Sequence, residues 1–129
     1  GFSFSVESAA LSIDKLIQHG WIAVPHDSNK PVPDGYTEVP TITYQQLIER
    51  YGKFDTVVAD CEGCLYFAIK HFPEILDDIN ILILEDDAFT NPHANPEFIY
   101  NKLAEHGFRL VSSMDGQGFK DFIKIWIAA

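Results

Sequence analysis

Two short acidic stretches hold the side chains best suited to chemistry. Asp60 and Glu62 flank Cys61 in Asp60-Cys61-Glu62-Gly63-Cys64, and Glu85-Asp86-Asp87 forms the second stretch. Carboxylates so placed can orient a substrate hydroxyl, take its proton, or hold a hard divalent cation such as Mg²⁺ through oxygen ligands. Cys61 and Cys64, with two residues between them, have the spacing of a thiol–disulfide pair.

These residues need elements to aim them. Phe54 to Asp60 is an apolar, β-branched run that does not alternate, the pattern of a central parallel strand covered on both faces, and Asp60 closes it. Gly63 permits a tight turn, and Leu65, Ala68, Ile69 and Phe72 give the next helix a buried stripe that Pro73 ends. Asn80 to Leu84 repeats the strand pattern and runs into Glu85. Ligands of parallel sheets bind beyond the carboxyl ends of the strands, which is where Asp60, Glu62 and Glu85 fall.

Around this centre, Val6, Ala9, Ala10, Ile13, Leu16 and Ile17 recur at helical spacing before Gly20, predicting an amphipathic first helix with a glycine C-cap. Pro25 to Gly35 reads as a surface loop, and Tyr36 to Ile42 as a short extended segment that Pro40 confines to an edge. Thr43 and Gln46 have capping-box form ahead of a helix carrying Tyr44, Leu47, Ile48 and Tyr51. Asn95, Pro96 and Gly107 bracket another helix. Phe108–Ser112 and Phe122–Ala128 then read as a terminal antiparallel hairpin around Asp115-Gly116-Gln117-Gly118. The expectation is one α/β domain over residues 1–129, with a helix-and-loop lead-in (1–35) and a sheet with helices (36–129). Strands alternating with helices imply a Rossmann-like, mostly parallel sheet with helices on both faces and a terminal antiparallel hairpin.

Composition narrows the function. Nearly half of the 129 residues are apolar, which suits a packed core. The net charge is −10, so the average surface repels phosphate backbones, and no nucleic-acid partner is expected. The longest apolar runs are strand-sized, against the roughly 20 residues a membrane span needs. Gly1-Phe2-Ser3-Phe4-Ser5 lacks the basic flank of a secretory signal, and two closely spaced cysteines do not make a disulfide framework. A reducing, cytoplasmic setting is the simpler expectation.

Val39-Pro40-Thr41-Ile42-Thr43, Leu47, Tyr51-Gly52-Lys53-Phe54-Asp55 and Asp60-Cys61-Glu62-Gly63 together resemble the stretch of FkbM-type methyltransferases that leads into their Asp-x-Glu-Gly motif. Glu85 and the Gly107-Phe108 entry to a final hairpin fit too, so the resemblance covers roughly residues 36 to 112. It implies the C-terminal half of a domain that transfers a methyl group from S-adenosylmethionine to a hydroxyl of a sugar or other small acceptor. On that resemblance Asp60, Glu62 and Glu85 are the catalytic acids, and Asp60, Cys61 and Gly63 lie against the cofactor. No dedicated metal ligand is assigned, although Mg²⁺ suits the carboxylates. The glycine loop and ribose-binding acid of the family's first strands have no counterpart here. The resemblance therefore also implies pairing with a missing N-terminal segment or with a second copy.

Other readings stay open. Glu62 can serve simply as an acid in the first helical turn, stabilising by about 0.3–1 kcal/mol through the helix dipole. Cys61 and Cys64 can form a thioredoxin-like redox pair. Asp60 and Glu62 oppose the thiolate that pair needs, each by about 2–3 kcal/mol at roughly 6 Å and an effective dielectric near 20. Asp60-Cys61-Glu62-Gly63 is similar to the aspartate motif of haloacid dehalogenase-type phosphatases, with Asp86-Asp87 as a later metal pair. A non-catalytic binding or assembly module is the remaining class, because a half-sheet leaves one strand edge uncovered. His19, His26, His71, His93 and His106 show no metal-ligand spacing, Trp126 suits core or interface, and Trp21 could line an acceptor pocket.

Overall fold

The computed structural model describes residues 9–20, 22–60, 63–87 and 91–129. Its central sheet has the order β6-β7-β9-β8, with β6 at Thr56–Ala59, β7 at Ile81–Glu85, β8 at Phe108–Gly116 and β9 at Phe119–Ala128. Only β6 and β7 run parallel; β7 with β9 and β8 with β9 are antiparallel. A second, three-stranded sheet in the order β3-β2-β4 is wholly antiparallel, built from β2 (Leu16–His19), β3 (Ile22–Pro25) and β4 (Thr37–Val39). A short parallel pair joins β1 (Ala10–Leu11) to β5 (Thr41–Ile42).

This architecture overturns the expected mostly parallel, Rossmann-like sheet. The arrangement is mixed because the last strand, β9, folds back between β7 and β8, and because the N-terminal region contributes strands. The predicted first helix is corrected likewise, although its start at Val6 lies outside the described residues. Leu16 and Ile17 are both buried, but on β2, where they pair with β3 and β4. Ser12 breaks the helical reading by accepting the Asp14 N–H at 3.0 Å, a local side-chain bond that competes with helix. Gly20, at φ +59°, turns β2 into β3 and caps no helix.

The helices were more legible. α1 spans Tyr44–Tyr51 behind a complete capping box: Thr43 Oγ1 accepts from the Gln46 N–H at 3.2 Å, and Gln46 Oε1 accepts from the Thr43 N–H at 3.0 Å. α2 spans Cys64–His71, and α4 spans Pro96–Glu105 with Asn95 Oδ1 accepting from the Glu97 and Phe98 N–H groups. A one-turn helix, α3 (Ile75–Asp78), lies between α2 and β7.

The core lies where α2 and α4 cover the central sheet. Ile69, Leu82, Ile99 and Leu103 are fully buried there, each stabilising by about 1.5–3 kcal/mol relative to exposure. Trp126 is buried in this core. Among the described residues, no helix is long and apolar enough to cross a membrane.

Candidate acidic site

The parallel pair β6 and β7 carries the site. Their in-register pairing, Val57 with Leu82 through Ala59 with Leu84, brings both carboxyl ends to the same rim of the sheet. Asp60 therefore meets the acids that follow Leu84. Asp60, Glu85 and Asp87 each offer a carboxylate oxygen within 4.8 Å of the other two. Asp60 is exposed, Glu85 half-buried and Asp87 buried.

Glu85 and Asp87 each make more than one contact, and neutral donors supply one to each. Gly63, at φ +84° and leading into α2, turns its N–H onto Asp87 Oδ1 at 3.2 Å. Gln117, at the tip of the β8–β9 hairpin, donates from Nε2 to Glu85 Oε1 at 2.7 Å. Like charges at 4.8 Å repel by roughly 3–4 kcal/mol per pair at an effective dielectric near 20, less at the exposed Asp60, where water screens. A bound cation would reverse that cost, and an all-oxygen donor set matches Mg²⁺ or Ca²⁺ rather than a softer metal.

Asp86, between the two cluster acids, turns elsewhere. Its Oδ2 accepts from Lys124 Nζ at 2.5 Å and from the Tyr100 hydroxyl, and Lys124 also lies 5.3 Å from the centre of the Tyr100 ring. Burial pulls the Lys124 pKa down, but the hydrogen bonds and charges of Asp86 and Tyr100 outweigh it and leave it above the usual lysine value. Burial, then Asp86, raise the Tyr100 phenol. Asp86 is thus a structural acid, which removes the Asp86-Asp87 metal pair of the phosphatase-like reading.

An apolar cavity of about 280 Å³ opens beside Asp60, with Phe54, Val57, Val58, Leu47 and Cys64 among its walls. Val58 is 70% exposed on β6, the outermost strand on this side of the sheet.

Of the residues singled out from sequence, the fold unites Asp60 and Glu85 and places Gly63 on their neighbour Asp87. Cys61 and Glu62 lie outside the described residues, as does Trp21. Cys64 is disulfide-bonded; the chain's one other cysteine is Cys61. Three of the five histidines make contacts away from the acidic cluster. His71 Nε2 lies 3.4 Å from Asp14, His106 Nδ1 lies 3.0 Å from Asp77, and His26 Nε2 pairs with the Lys30 carbonyl at 3.0 Å. Sequence reasoning missed Asp87 and Gln117 as site residues. The acidic run flagged Asp87 without separating it from Asp86, and nothing local to Gln117 points at Glu85. No family model matches the sequence, and neither a curated protein nor a solved structure matches the chain.

Proposed function

We propose that this chain supplies the acceptor end of an S-adenosylmethionine-dependent O-methyltransferase site, of the kind its Asp60-Cys61-Glu62-Gly63 motif resembles. The observation that carries the reading is the meeting of Asp60, Glu85 and Asp87 at the carboxyl ends of β6 and β7, beside an apolar cavity. The function rests on this site and not on the fold, whose sheet departs from the expected one.

S-adenosylmethionine, when bound, supplies a methyl group on a sulfonium, which leaves with the C–S electron pair as the acceptor oxygen bonds to the methyl carbon. The chain's own residues do the rest. The carboxylates orient the acceptor hydroxyl, directly or through a divalent cation, and Asp60, the exposed member, takes its proton. The cavity beside Asp60 presents the apolar side chains of Phe54 and Val58 to a bound ligand. The described residues offer no glycine-rich phosphate or ribose cradle, so the adenosine contacts come from another segment or from a second copy.

Titration calorimetry of the chain with S-adenosylmethionine, with and without Mg²⁺, tests this. Micromolar binding that Asp60→Asn weakens at least about tenfold supports the reading, about 1.4 kcal/mol. No heat from this chain but binding by a longer chain that carries the adenosine contacts keeps the reading, with the cofactor held chiefly elsewhere, and no heat from either removes it.

A second reading is favoured by one observation, the disulfide at Cys64, which suits thiol–disulfide exchange. It requires a thiol of depressed pKa after reduction. Iodoacetamide kinetics on the dithiothreitol-reduced protein that show only the ordinary cysteine midpoint near about 8.5 dismiss it.

A further inference from the structure

The two faces of the central sheet have different surroundings. Directly paired residues share a face, and faces alternate along each strand, so the register assigns every side chain to a side. Leu82, Leu84 and Trp126 lie on one side, buried in the core under α2 and α4. The other side carries Ile81 and Ile83 of β7 and Ile123, Ile125 and Ile127 of β9, flanked by Val58 on β6 and Met114 on β8. These isoleucines are only half-buried, Val58 and Met114 are exposed, and among the described residues none of the seven belongs to the core cluster.

A sheet face left to water normally alternates to polar residues. β7 does not, because Ile81-Leu82-Ile83-Leu84 is apolar on both sides, the pattern of a strand covered twice. A contiguous apolar surface of this kind marks an interaction site. Charge distinguishes its two ends. Arg109 pairs with Ile127 at one end of the strands, and Glu85 pairs with Ile123 at the other, beside Asp60. Four residues of β9 separate these pairs, about 13 Å.

We infer that this isoleucine face packs against the same face of a second copy of the chain, as a two-sheet sandwich whose two-fold axis lies between the sheets and runs across the strands. The polarity of the face selects both the occupant and the axis. Rotation about that axis lays the Arg109 end of each copy over the Glu85 end of the other and keeps β7 and β9 over the partner's β7 and β9 at the centre. An axis along the strands would instead stack acid on acid. The face is thus complementary to itself, in shape through its β-branched rows and in charge through its ends.

The net charge of −10 opposes association, so sedimentation velocity of the whole chain is run in about 0.3 M NaCl, which screens it. A monomer–dimer equilibrium with a dissociation constant below about 100 μM is expected, and a chain still monomeric at about 1 mM overturns the inference. Ile83→Lys, at the centre of the face and away from both sheet edges, should weaken the dimer at least about tenfold. A dimer that it leaves intact uses another surface and also overturns the inference. Arg109→Glu should weaken association at least about fivefold, and Arg109→Glu combined with Glu85→Arg should restore it to within about twofold. A dimer indifferent to Arg109→Glu removes the axis and with it the inference. Should Ile83→Lys lose its fold by circular dichroism, methyl NMR of wild type with a soluble nitroxide decides. Protection of the Ile83 and Ile125 methyls that grows with protein concentration upholds the sandwich; broadening independent of concentration overturns it.

Discussion

Three consecutive acids at the end of β7 meet opposite fates. Asp86 is clamped by an ammonium and a phenol, with Lys124 at 2.5 Å and Tyr100 beside it, and both ionic side chains are largely shielded from water. Glu85 and Asp87, its two neighbours, accept from the uncharged Gln117 amide and Gly63 N–H among other contacts and share their space with a third carboxylate. Under the proposed function, the difference separates charge used to build the protein from charge kept for a ligand. A compensated acid stabilises the fold and has little left to offer, whereas a gathered set of acids stores repulsion that a cation or a hydroxyl-bearing ligand can relieve.

The contrast is broken most severely at its compensated side. Asp86→Ala leaves Lys124 partly buried without its counter-ion and Tyr100 without its acceptor. It should cost about 2–4 kcal/mol by urea denaturation, and a loss under about 1 kcal/mol would show that the network is incidental. On the other side, Asp60→Asn removes one of three mutually repelling charges. It should leave stability unchanged or raise it by up to about 1 kcal/mol while weakening ligand binding, so the two substitutions differ in sign. Destabilisation by Asp60→Asn comparable to that of Asp86→Ala would make all these acids structural.

The pH dependence sharpens the same distinction. Lys124 is raised in the folded protein, so its contribution is fully present below the ordinary lysine value of 10.5 and is lost as pH rises through the folded value. The alkaline decline in stability should therefore shrink in Lys124→Met, with the phenols of Tyr100 and Tyr44, also raised in the fold, supplying the remainder. Asp78, lowered chiefly by the hydrogen bond from the Tyr44 hydroxyl at 2.7 Å, acts at the other limb. Its contribution is present above the unfolded carboxylate value and lost as pH falls through the folded one. Tyr44→Phe should flatten that acid limb and cost about 1–2 kcal/mol at neutral pH, the smallest loss among these fold-supporting contacts.

Much of the local structure followed from residue types. Thr43 with Gln46 and Asn95 with Pro96 encode helix starts, and the runs ending at Asp60 and Glu85 encode strands, but the first of these is an edge strand with Val58 exposed and not the central strand covered on both faces that its apolar run predicts. The N-terminal region did not read correctly, because Leu16 and Ile17 satisfy helical spacing as well as they satisfy a short strand buried by its partners. At that length the choice falls to pairing with β3, the other arm of the same hairpin, and with β4, which lies beyond the loop and outside any local pattern.

The sequence by itself determined the acids at the two strand ends, the glycine that turns between Asp60 and α2, and the net charge of −10. Only the tertiary structure decided that β9 inserts beside β7, which makes the sheet mixed and delivers Lys124 to Asp86. It alone also folded the hairpin tip so that Gln117 reaches Glu85. The physical reason is range. Capping, turn chemistry and burial patterns act over a few residues, while the surroundings of Glu85, Asp86 and Asp87 depend on side chains from 14 to 38 positions away.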